Sequence, residues 1–370
     1  TSWAGGGALP GAEDQITGTG VSTAALAFGG NPAVTTTLGY DGTTWSSKPA
    51  LATGRGYMMG CGTGSDALGI GGQAPPSGTT ATEEFNRSAN VVTAGTWASG
   101  TSLPATRFGL AGSPSGTTTA ALAAFGSSPG AVATTFEYDG TSWTGGGLGN
   151  TARTYLAGIG TQTAAIACGG FGPGLAGKTD SEEYNGTGWT ANPAPTDLNV
   201  GKWNTTGCGT QTAGLNFGGS RAPHPTNVSE TETYDGSSWA AGGALPTGFD
   251  YPGGAGTQTA GLQIGGNLSP PTGTTTTNEY NGTGWTASGD MLNTRYATAG
   301  IGTQLSALAA GSTPPASLVV EGYDGTAWST RPSMATARGR AGSSGTGDLG
   351  LVMGGSTTAA VEEWTAETSA

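Results

Sequence analysis

The sequence predicts an all-β protein in which repeated four-stranded antiparallel sheets stack around a ring as the blades of a propeller. Glycine supplies 72 of the 370 residues, close to one in five against a usual share of about 7%, so the chain is rich in turns. One aromatic hairpin phrase recurs along the whole chain. Its tryptophans return about every 46 residues, a spacing that is typical of one propeller blade.

The hairpin phrase is a tyrosine, then Asp-Gly or Asn-Gly, then a tryptophan five residues after the tyrosine. Such a dipeptide between short β-forming runs favours a two-residue type I′ hairpin, because both turn positions need positive φ. Around Asp139-Gly140, this places Tyr138 opposite Thr141, with Trp143 on the same face. We expect a neighbouring sheet to bury each aromatic pair. The copies are Tyr40 and Trp45, Tyr138 and Trp143, Tyr184 and Trp189, Tyr234 and Trp239, Tyr280 and Trp285, Tyr323 and Trp328, with a stretched copy from Phe85 to Trp97.

Each hairpin follows an apolar run that ends in a doublet of small residues, such as AIACGG ending at Gly170. A segment of the form AGxGTQT precedes this run, most clearly at 157–163. These parts predict a four-stranded meander in each repeat, with GTQT as a tight turn and the glycine doublet at a place of close backbone packing. A lone four-stranded sheet cannot cover both of its faces, so the sheets must stack.

The repeats divide the chain into eight blades of a single domain spanning 1–370, with seven blades as the fallback. Residues 1–5 contain the tryptophan end of a unit, and the chain stops just after Trp364, which holds a tyrosine position. We therefore expect residues 1–5 to supply the outer strand of the last blade and to close the ring. The approximate units are 3–44, 45–96, 97–142, 143–188, 189–238, 239–284, 285–327 and 328–370.

An apolar run, Gly-Gly, a glutamate two residues before a tyrosine and a nearby tryptophan together resemble the kelch repeat. In one unit these parts are 169–170, Glu182, Tyr184 and Trp189, and the resemblance covers all eight units. The link from tyrosine to tryptophan is shorter than the usual kelch loop. The GTQTA and YDGTxW phrases also resemble Thr/Gly-rich kelch-like proteins of marine bacteriophages. These resemblances imply a kelch-like propeller of viral origin.

The composition excludes several classes of function. With 24 acidic and 12 basic residues the net charge is −12, so the chain lacks the basic surface that nucleic acids require. No stretch approaches the roughly 18 apolar residues of a membrane helix. A single histidine, His224, excludes sites that need two, and Cys61, Cys168 and Cys208 have no metal or disulfide spacing. We expect no cofactor, no metal, no nucleic acid partner and no membrane insertion, and we expect the cysteines to be buried.

Cations fall at the start of the predicted first strands, and glutamates cluster beside the tyrosines. Two interpretations are open. Repeated Arg–Glu pairing would be structural, whereas a ring of guanidinium groups at one channel mouth could hold anionic sugars or carboxylates. The candidate ligand-binding cations are Arg55, Arg107, Arg153, Lys202, Arg295 and Arg338.

The loops after the second strand and the connections between blades vary, whereas the GTQT and YDG turns hardly change. In an antiparallel meander the variable segments share one face, here called the long-loop face, which is either a binding face or a face of unconstrained drift. Its loop 220–229 carries the candidate ligand residues Arg221 and His224. Trp203, beside Lys202, is a candidate for stacking on a sugar ring; the alternative is packing between blades.

No catalytic constellation is evident, because nearly all glutamates lie at or near a repeat register. We expect a non-enzymatic structural or attachment protein of a phage virion, such as a tail fibre, receptor-binding or decoration component. It would bind carbohydrate or another virion or cell-surface protein through the long-loop face, on the virion or outside the cell. A secreted bacterial carbohydrate-binding lectin or adhesin is the alternative, followed by a glycan-active enzyme. An intracellular kelch adaptor is the least favoured.

Overall fold

All regular structure that the computed structural model describes is β-strand, as predicted. Where the repeats predict one domain, the contacts divide the chain into two compact units. Unit 1 is Thr1–Thr93 with Thr368–Ala370, and unit 2 is Ala94–Glu367. The described residues are 7–11, 14–64, 66–75, 77–86, 92–93, 95–172, 177–191, 197–223, 226–269, 272–313, 315–356 and 358–369.

Unit 1 has two main antiparallel sheets among its described residues. One follows the order β1-β2-β3-β4, the other the order β5-β6-β9, and β7 pairs with β8. Leu26 and Phe28 of the first sheet form a core with Met58 and with Ala67 of the second. The strands are β1 (Thr17–Val21), β2 (Ala24–Phe28), β3 (Thr37–Tyr40), β4 (Trp45–Ser47), β5 (Met59–Gly62), β6 (Asp66–Ile70), β7 (Gln73–Ala74), β8 (Ser77–Gly78), β9 (Thr82–Asn86) and β10 (Val92–Thr93).

The described part of unit 2 contains six main antiparallel sheets. In chain order, its strands up to residue 241 are β11 (Thr96–Gly100), β12 (Ala121–Ala124), β13 (Thr135–Tyr138), β14 (Trp143–Gly145), β15 (Ala157–Thr161), β16 (Ala164–Cys168), β17 (Ser181–Tyr184), β18 (Trp189–Ala191), β19 (Thr206–Thr210), β20 (Ala213–Phe217), β21 (Ser220–Arg221), β22 (Thr226–Asn227), β23 (Thr231–Tyr234) and β24 (Trp239–Ala241). The others are β25 (Gly253–Gly256), β26 (Gly261–Ile264), β27 (Asn267–Ser269), β28 (Thr272–Gly273), β29 (Thr277–Tyr280), β30 (Trp285–Ala287), β31 (Ala299–Thr303), β32 (Ser306–Ala310), β33 (Val320–Tyr323), β34 (Trp328–Arg331), β35 (Gly342–Gly345), β36 (Leu349–Met353) and β37 (Val361–Thr365).

The sheet orders follow the predicted meander. They are β12-β13-β14, β15-β16-β17-β18, β19-β20-β23-β24, β25-β26-β29-β30, β31-β32-β33-β34 and β11-β37-β36-β35. Two-stranded ladders β21-β22 and β27-β28 extend loops after second strands, and β38 (Thr368–Ser369), which belongs to unit 1, pairs with β10. Across the described residues, the two units together hold eight sheets of three or four strands.

The outer strand of the last sheet differs from the prediction. Strand β37 pairs with β11 from Trp97↔Trp364 to Gly100↔Val361, so the edge predicted for residues 1–5 is already paired. Residues 1–5 themselves lie outside the described residues. The stretched copy from Phe85 to Trp97 explains the difference, because its tryptophan strand pairs with the last sheet and β9 has no fourth strand in the described sheet.

The two predicted turns have different outcomes. The GTQT turn is a two-residue hairpin, in which Thr161 pairs with Ala164. The YDG turn is not: Tyr138 pairs directly with Trp143, which leaves a four-residue loop. The Asp139 carboxylate accepts hydrogen bonds from the backbone N–H groups of Thr141 and Ser142 at 2.8 and 2.7 Å, and these bonds lower the pKa of Asp139. Sequence reasoning missed this side-chain acceptor, which organises the turn in place of a type I′ pair.

Four of the predicted aromatic pairs, those with Trp189, Trp239, Trp285 and Trp328, are buried between sheets, whereas Trp45, Trp97 and Trp143 are half-buried. The rings of Tyr234 and Trp239 lie 4.9 Å apart and pack on Ile159, Ile166 and Cys168 of the preceding sheet. The indole N–H of Trp239 donates to the Ser181 hydroxyl at 3.0 Å. The same donation to a threonine or serine of the preceding sheet joins Trp189 to Thr135, Trp285 to Thr231 and Trp328 to Thr277.

The repeated phrase GTQT has a second role, since its glutamine joins consecutive sheets of unit 2. Gln211 donates from Nε2 to the carbonyl oxygens of Ala165 and Tyr184, at 3.1 and 2.9 Å. We call this contact the glutamine clamp. The other copies run from Gln162 to Ala121 and Tyr138, from Gln258 to Gly214 and Tyr234, and from Gln304 to Gly261 and Tyr280.

A ring of backbone hydrogen bonds links all six sheets of unit 2. One residue just before each innermost strand donates its N–H to the carbonyl oxygen of the equivalent residue in the preceding sheet, with N···O distances from 2.8 to 3.1 Å. The sixth bond returns to the first residue. In order from donor to acceptor, the residues are Gly109, Arg340, Ala297, Tyr251, Asn204, Tyr155 and again Gly109.

Glycines let the innermost strands approach one another at backbone distance. A Cβ on Gly158 would overlap the carbonyl oxygen of Gly112, and one on Gly300 would overlap that of Gly254. Only glycine fits where two backbones touch in this way. The abundant glycines of the sequence are thus placed partly by packing around a shared axis and not only by turns.

We predict that Gly158→Ala destabilises the protein by about 1–3 kcal/mol, because the added methyl group forces two innermost strands apart. The matched control is Gly188→Ala, since a Cβ there meets nothing within 4 Å, and it should change the free energy of unfolding by less than about 1 kcal/mol. Urea-induced unfolding measures both. Equal effects of the two substitutions would contradict the close packing of these strands.

Candidate functional site

The six innermost segments of unit 2 surround a cavity with a volume of about 110 Å³. Strand pairing places its entrance on the long-loop face. The residues just before the innermost strands form bridges with the loops that follow the second strands, as in Thr154↔Phe171, Trp203↔Ser220 and Asp250↔Asn267. We call this cavity the axial cavity. Its lining includes Tyr155, Asn204, Tyr251 and Arg340, all members of the hydrogen-bonded ring.

The side chains of the ring reach the cavity through an uncommon backbone conformation. The five non-glycine residues of the ring have φ between 53° and 58°, which is the left-handed region. Such residues are uncommon outside glycine and asparagine, and persist where surrounding bonds hold them. Here the ring bonds hold them. The five are Tyr155, Asn204, Tyr251, Ala297 and Arg340.

Arg340 is held between two aromatic rings of this lining. Its guanidinium carbon lies 5.0 Å from the centroid of Tyr251 and 5.6 Å from that of Tyr155, which is within cation–π range. The two tyrosine rings meet edge to face at 5.8 Å. Burial raises the pKa of Tyr251, with Arg340 acting in the opposite direction, so its phenol stays protonated at neutral pH.

Two buried polar atoms of the lining have no hydrogen-bond partner. They are the Nε of Arg340, which is a donor, and the Oδ1 of Asn204, which is an acceptor. The other end of the Asn204 amide donates to Asp250 at 2.8 Å, and Asp250 is itself buried. A buried polar atom without a partner costs free energy, so a ligand that both donates and accepts would be favoured here.

The opposite end of the axis is crossed by residues 113–116. The Ser115 N–H donates to Gly160 at 3.0 Å and its hydroxyl donates to Gly209 at 2.7 Å. Ser113 forms a parallel bridge with Ser344. Pro114 lines the axial cavity, so residues 113–116 lie across its end away from the long-loop face.

The candidate cations lie inside the sheets. Their side chains are at most 2% exposed, and they satisfy carboxylates and carbonyl oxygens of their own repeat. Arg153, for example, binds Glu182 at 2.8 Å and the carbonyl oxygens of Gly169 and Asp180. The structural interpretation therefore describes these residues, and none of them presents its charge at the axial cavity. The other ion pairs are Arg55 with Glu83, Lys202 with Glu232, Arg295 with Glu321 and Arg338 with Glu362.

Two repeats of unit 2 depart from this pairing, and only one of them changes both partners. Arg107 has Phe136 where a glutamate stands elsewhere; its guanidinium lies over that ring at 4.7 Å, and burial lowers the pKa of Arg107 to about 10. Phe249 replaces the cation in another repeat, where Asn278 replaces the glutamate and donates to Gln263. The cation and the carboxylate are thus lost together in that repeat.

The three other candidate residues have separate positions. Trp203 is only 7% exposed and packs edge to face on Phe171, with centroids 5.7 Å apart, so it is not a surface platform for a sugar. Arg221 is exposed and pairs with Glu230 at 2.9 Å. His224 lies outside the described residues.

Sequence reasoning missed Tyr155, Tyr251 and Arg340. One signal could have found them, since Tyr155 and Arg340 each stand two residues after a repeated cation. Their left-handed conformation and their convergence on one axis have no signature in a single repeat. The expectation for cysteines was also only partly right: Cys168 and Cys208 are buried, with the pKa of each raised to about 12 by burial, but Cys61 is exposed.

Within the described ranges, no group of three His, Cys, Asp or Glu side chains could hold a metal ion. No helix in that same part of the chain has the length and apolar character needed to cross a membrane.

Comparison with known proteins supports the fold alone. No family profile and no curated protein matches the sequence. A solved structure titled "Structure of YjhT" matches with a TM-score of 0.59 at 13% identity, over 72% of this chain and 95% of that one. At this identity the match indicates a shared propeller-like all-β architecture.

We predict that the buried Arg153–Glu182 pair tolerates joint replacement better than single replacement. Arg153→Phe or Glu182→Asn alone leaves a buried charge unpaired and should cost about 3–5 kcal/mol. The double variant introduces the phenylalanine and asparagine of the Phe249 and Asn278 repeat and leaves no buried charge unpaired, although Ala167 stands where that repeat has Gln263. Its cost should therefore fall short of the summed single costs by more than about 1 kcal/mol. Urea unfolding of the four proteins gives the coupling energy.

The matched control for this cycle is the exposed pair Arg221–Glu230, whose coupling should stay below about 1 kcal/mol. Additive costs at Arg153 and Glu182 would show that the two side chains do not stabilise each other.

Proposed function

We propose that the protein is a non-enzymatic attachment protein that binds carbohydrate in the axial cavity, on the long-loop face of unit 2. One observation carries the proposal: an unpartnered buried donor on Arg340 and an unpartnered buried acceptor on Asn204 line the same cavity. A sugar hydroxyl both donates and accepts a hydrogen bond. The hydroxyl groups of a sugar can therefore provide a partner for each of the two atoms.

The remaining lining suits the same ligand. The half-buried rings of Tyr155 and Tyr251 offer apolar faces for the C–H groups of a sugar, and phenol oxygens for its hydroxyls. A cavity of about 110 Å³ admits one end of a terminal sugar rather than an internal stretch of a chain. The expected ligand is thus a glycan end presented along the axis.

We further propose that unit 2 is a closed propeller of six kelch-like blades, instead of eight or seven in one ring. The support is the six-membered ring of backbone hydrogen bonds together with the pairing of β11 with β37. In this arrangement a strand from the N-terminal side of unit 2 completes its last blade, which leaves no open edge there.

For the biological setting we propose a phage virion, with the protein as a tail-fibre, receptor-binding or decoration component. The low-charge Thr/Gly-rich composition and the resemblance to phage repeats support this setting. A secreted bacterial lectin is the alternative, and it would use the same cavity.

Carbohydrate binding is tested by titrating a panel of free monosaccharides, with calorimetry as the readout. Arg340→Met removes the unpartnered donor and should weaken the best ligand at least about tenfold, which corresponds to about 1.4 kcal/mol. Arg221→Met, on an exposed loop cation, should leave the affinity unchanged. Binding that survives Arg340→Met would remove the axial cavity from the proposal, and release of a new product during incubation would indicate an enzyme.

The setting is tested by density fractionation of the native source, with the chain followed by peptide mass spectrometry. A virion component should band with intact particles at a fixed stoichiometry. If the chain appears only in soluble or cell-envelope fractions, the secreted lectin is the correct setting.

A further inference from the structure

The glutamine clamp is missing at two of the six contacts between sheets of unit 2. Four consecutive contacts contain it, whereas the sheet of β12 has Thr118 at the glutamine position of its GTTT turn. The last repeat has Gly347 at that position of its GTGD turn. The preceding sheet still has the two clamp positions, which are Ala307 and Tyr323 and which pair with each other in β32 and β33. The equivalent residues Ala165 and Tyr184 each give a carbonyl oxygen to Gln211.

A cavity of about 220 Å³ occupies this place. Ala307, Tyr323 and Gly347 line it, so it lies where the glutamine side chain lies in the other repeats. Trp364 forms an aromatic wall, held by its indole N–H, which donates to the carbonyl oxygen of Gly347 at 3.0 Å. We call this the clamp cavity. It is separate from the axial cavity and shares no lining residue with it.

The change at Gly347 has a matching change across the contact. Ser306 stands where the other turns that carry the glutamine have alanine, as at Ala213 and Ala260. A Cβ on Gly347 would overlap both the hydroxyl and the backbone carbonyl oxygen of Ser306. Glycine at 347 therefore fits against Ser306 and leaves the cavity open.

The charges around the clamp cavity favour a cationic N–H donor over a neutral one. Asp348 and Glu367 line it with one cation, Arg331, which is already directed to the Ser329 hydroxyl at 2.7 Å. The net charge of the lining is thus negative. A neutral amide would satisfy the two carbonyl positions, but a cation gains in addition from the carboxylates and from the face of Trp364.

We propose that the clamp cavity binds a primary ammonium group of a small ligand. Its N–H donors would take the place of the glutamine amide on Ala307 and Tyr323, with Asp348 and Glu367 balancing its charge. This inference does not depend on carbohydrate binding in the axial cavity, because the two cavities have different linings.

The test is a titration of the whole protein with n-butylammonium chloride, followed by saturation-transfer NMR at constant ionic strength. n-Butanol and butyramide are the neutral comparison probes. The ammonium probe should bind at least about threefold more tightly than either neutral probe, and Asp348→Asn should weaken it at least about threefold. Asp290→Asn, at an exposed carboxylate outside the lining, is the matched control and should change nothing.

A second variant fills the cavity. Ser306→Ala with Gly347→Gln places a glutamine side chain in the clamp cavity once the backbone of residue 306, whose carbonyl oxygen lies close to the new Cβ, has shifted slightly. This variant should abolish binding of the ammonium probe. Should this variant fail to fold, the Asp348→Asn comparison still decides. The proposal is overturned by equal binding to the wild type and to Asp348→Asn, by n-butanol or butyramide binding as tightly as the ammonium probe, or by binding that persists in the filled variant.

Discussion

Close approach of backbones around one axis is the constraint on which unit 2 depends. The innermost strands touch through glycines such as Gly158 and Gly300, and the residues just before them exchange hydrogen bonds in a six-membered ring. Each ring residue needs a left-handed conformation to donate backward and accept forward. The same conformation turns the side chains of Tyr155, Tyr251 and Arg340 toward the axial cavity. Structure and candidate site are therefore consequences of one arrangement.

Farther from the axis, the contacts between neighbouring sheets repeat the same side-chain hydrogen bonds. Glutamine clamps bind carbonyl oxygens of the preceding sheet, as Gln211 does, and tryptophan N–H groups bind its hydroxyls, as Trp239 does. These donors satisfy polar groups at a buried contact, which apolar side chains alone would leave without partners. Because every repeat carries the same parts, departures from the pattern are informative. Gly347 and its partner Ser306 are such a departure, and a cavity lies beside them.

The regularly spaced cations do not form the exposed ligand-binding ring that was one interpretation of their spacing. Buried guanidinium groups such as Arg153 join a glutamate to loop carbonyls of the same repeat, so they fix the loop that enters each innermost strand. Burial opposes their charged form and lowers the pKa of Arg295 and Arg338, while their glutamates oppose that shift. The cation that does reach the axial cavity, Arg340, belongs to no repeated position of charge. Repetition marks structure in this chain, and exceptions mark candidate function.

The sequence by itself determined the all-β class, the repeat and the burial of most of the Tyr–Trp pairs, because these depend on local turn chemistry and on a period that every unit repeats. It also contained both interpretations of the arginines without deciding between them. Only the tertiary structure showed that Trp97 pairs with the last sheet, because identical strand phrases compete for one edge and their sequences do not rank them. Only the tertiary structure brought Tyr155, Asn204 and Arg340 together, because residues from different repeats meet on an axis that no single repeat contains.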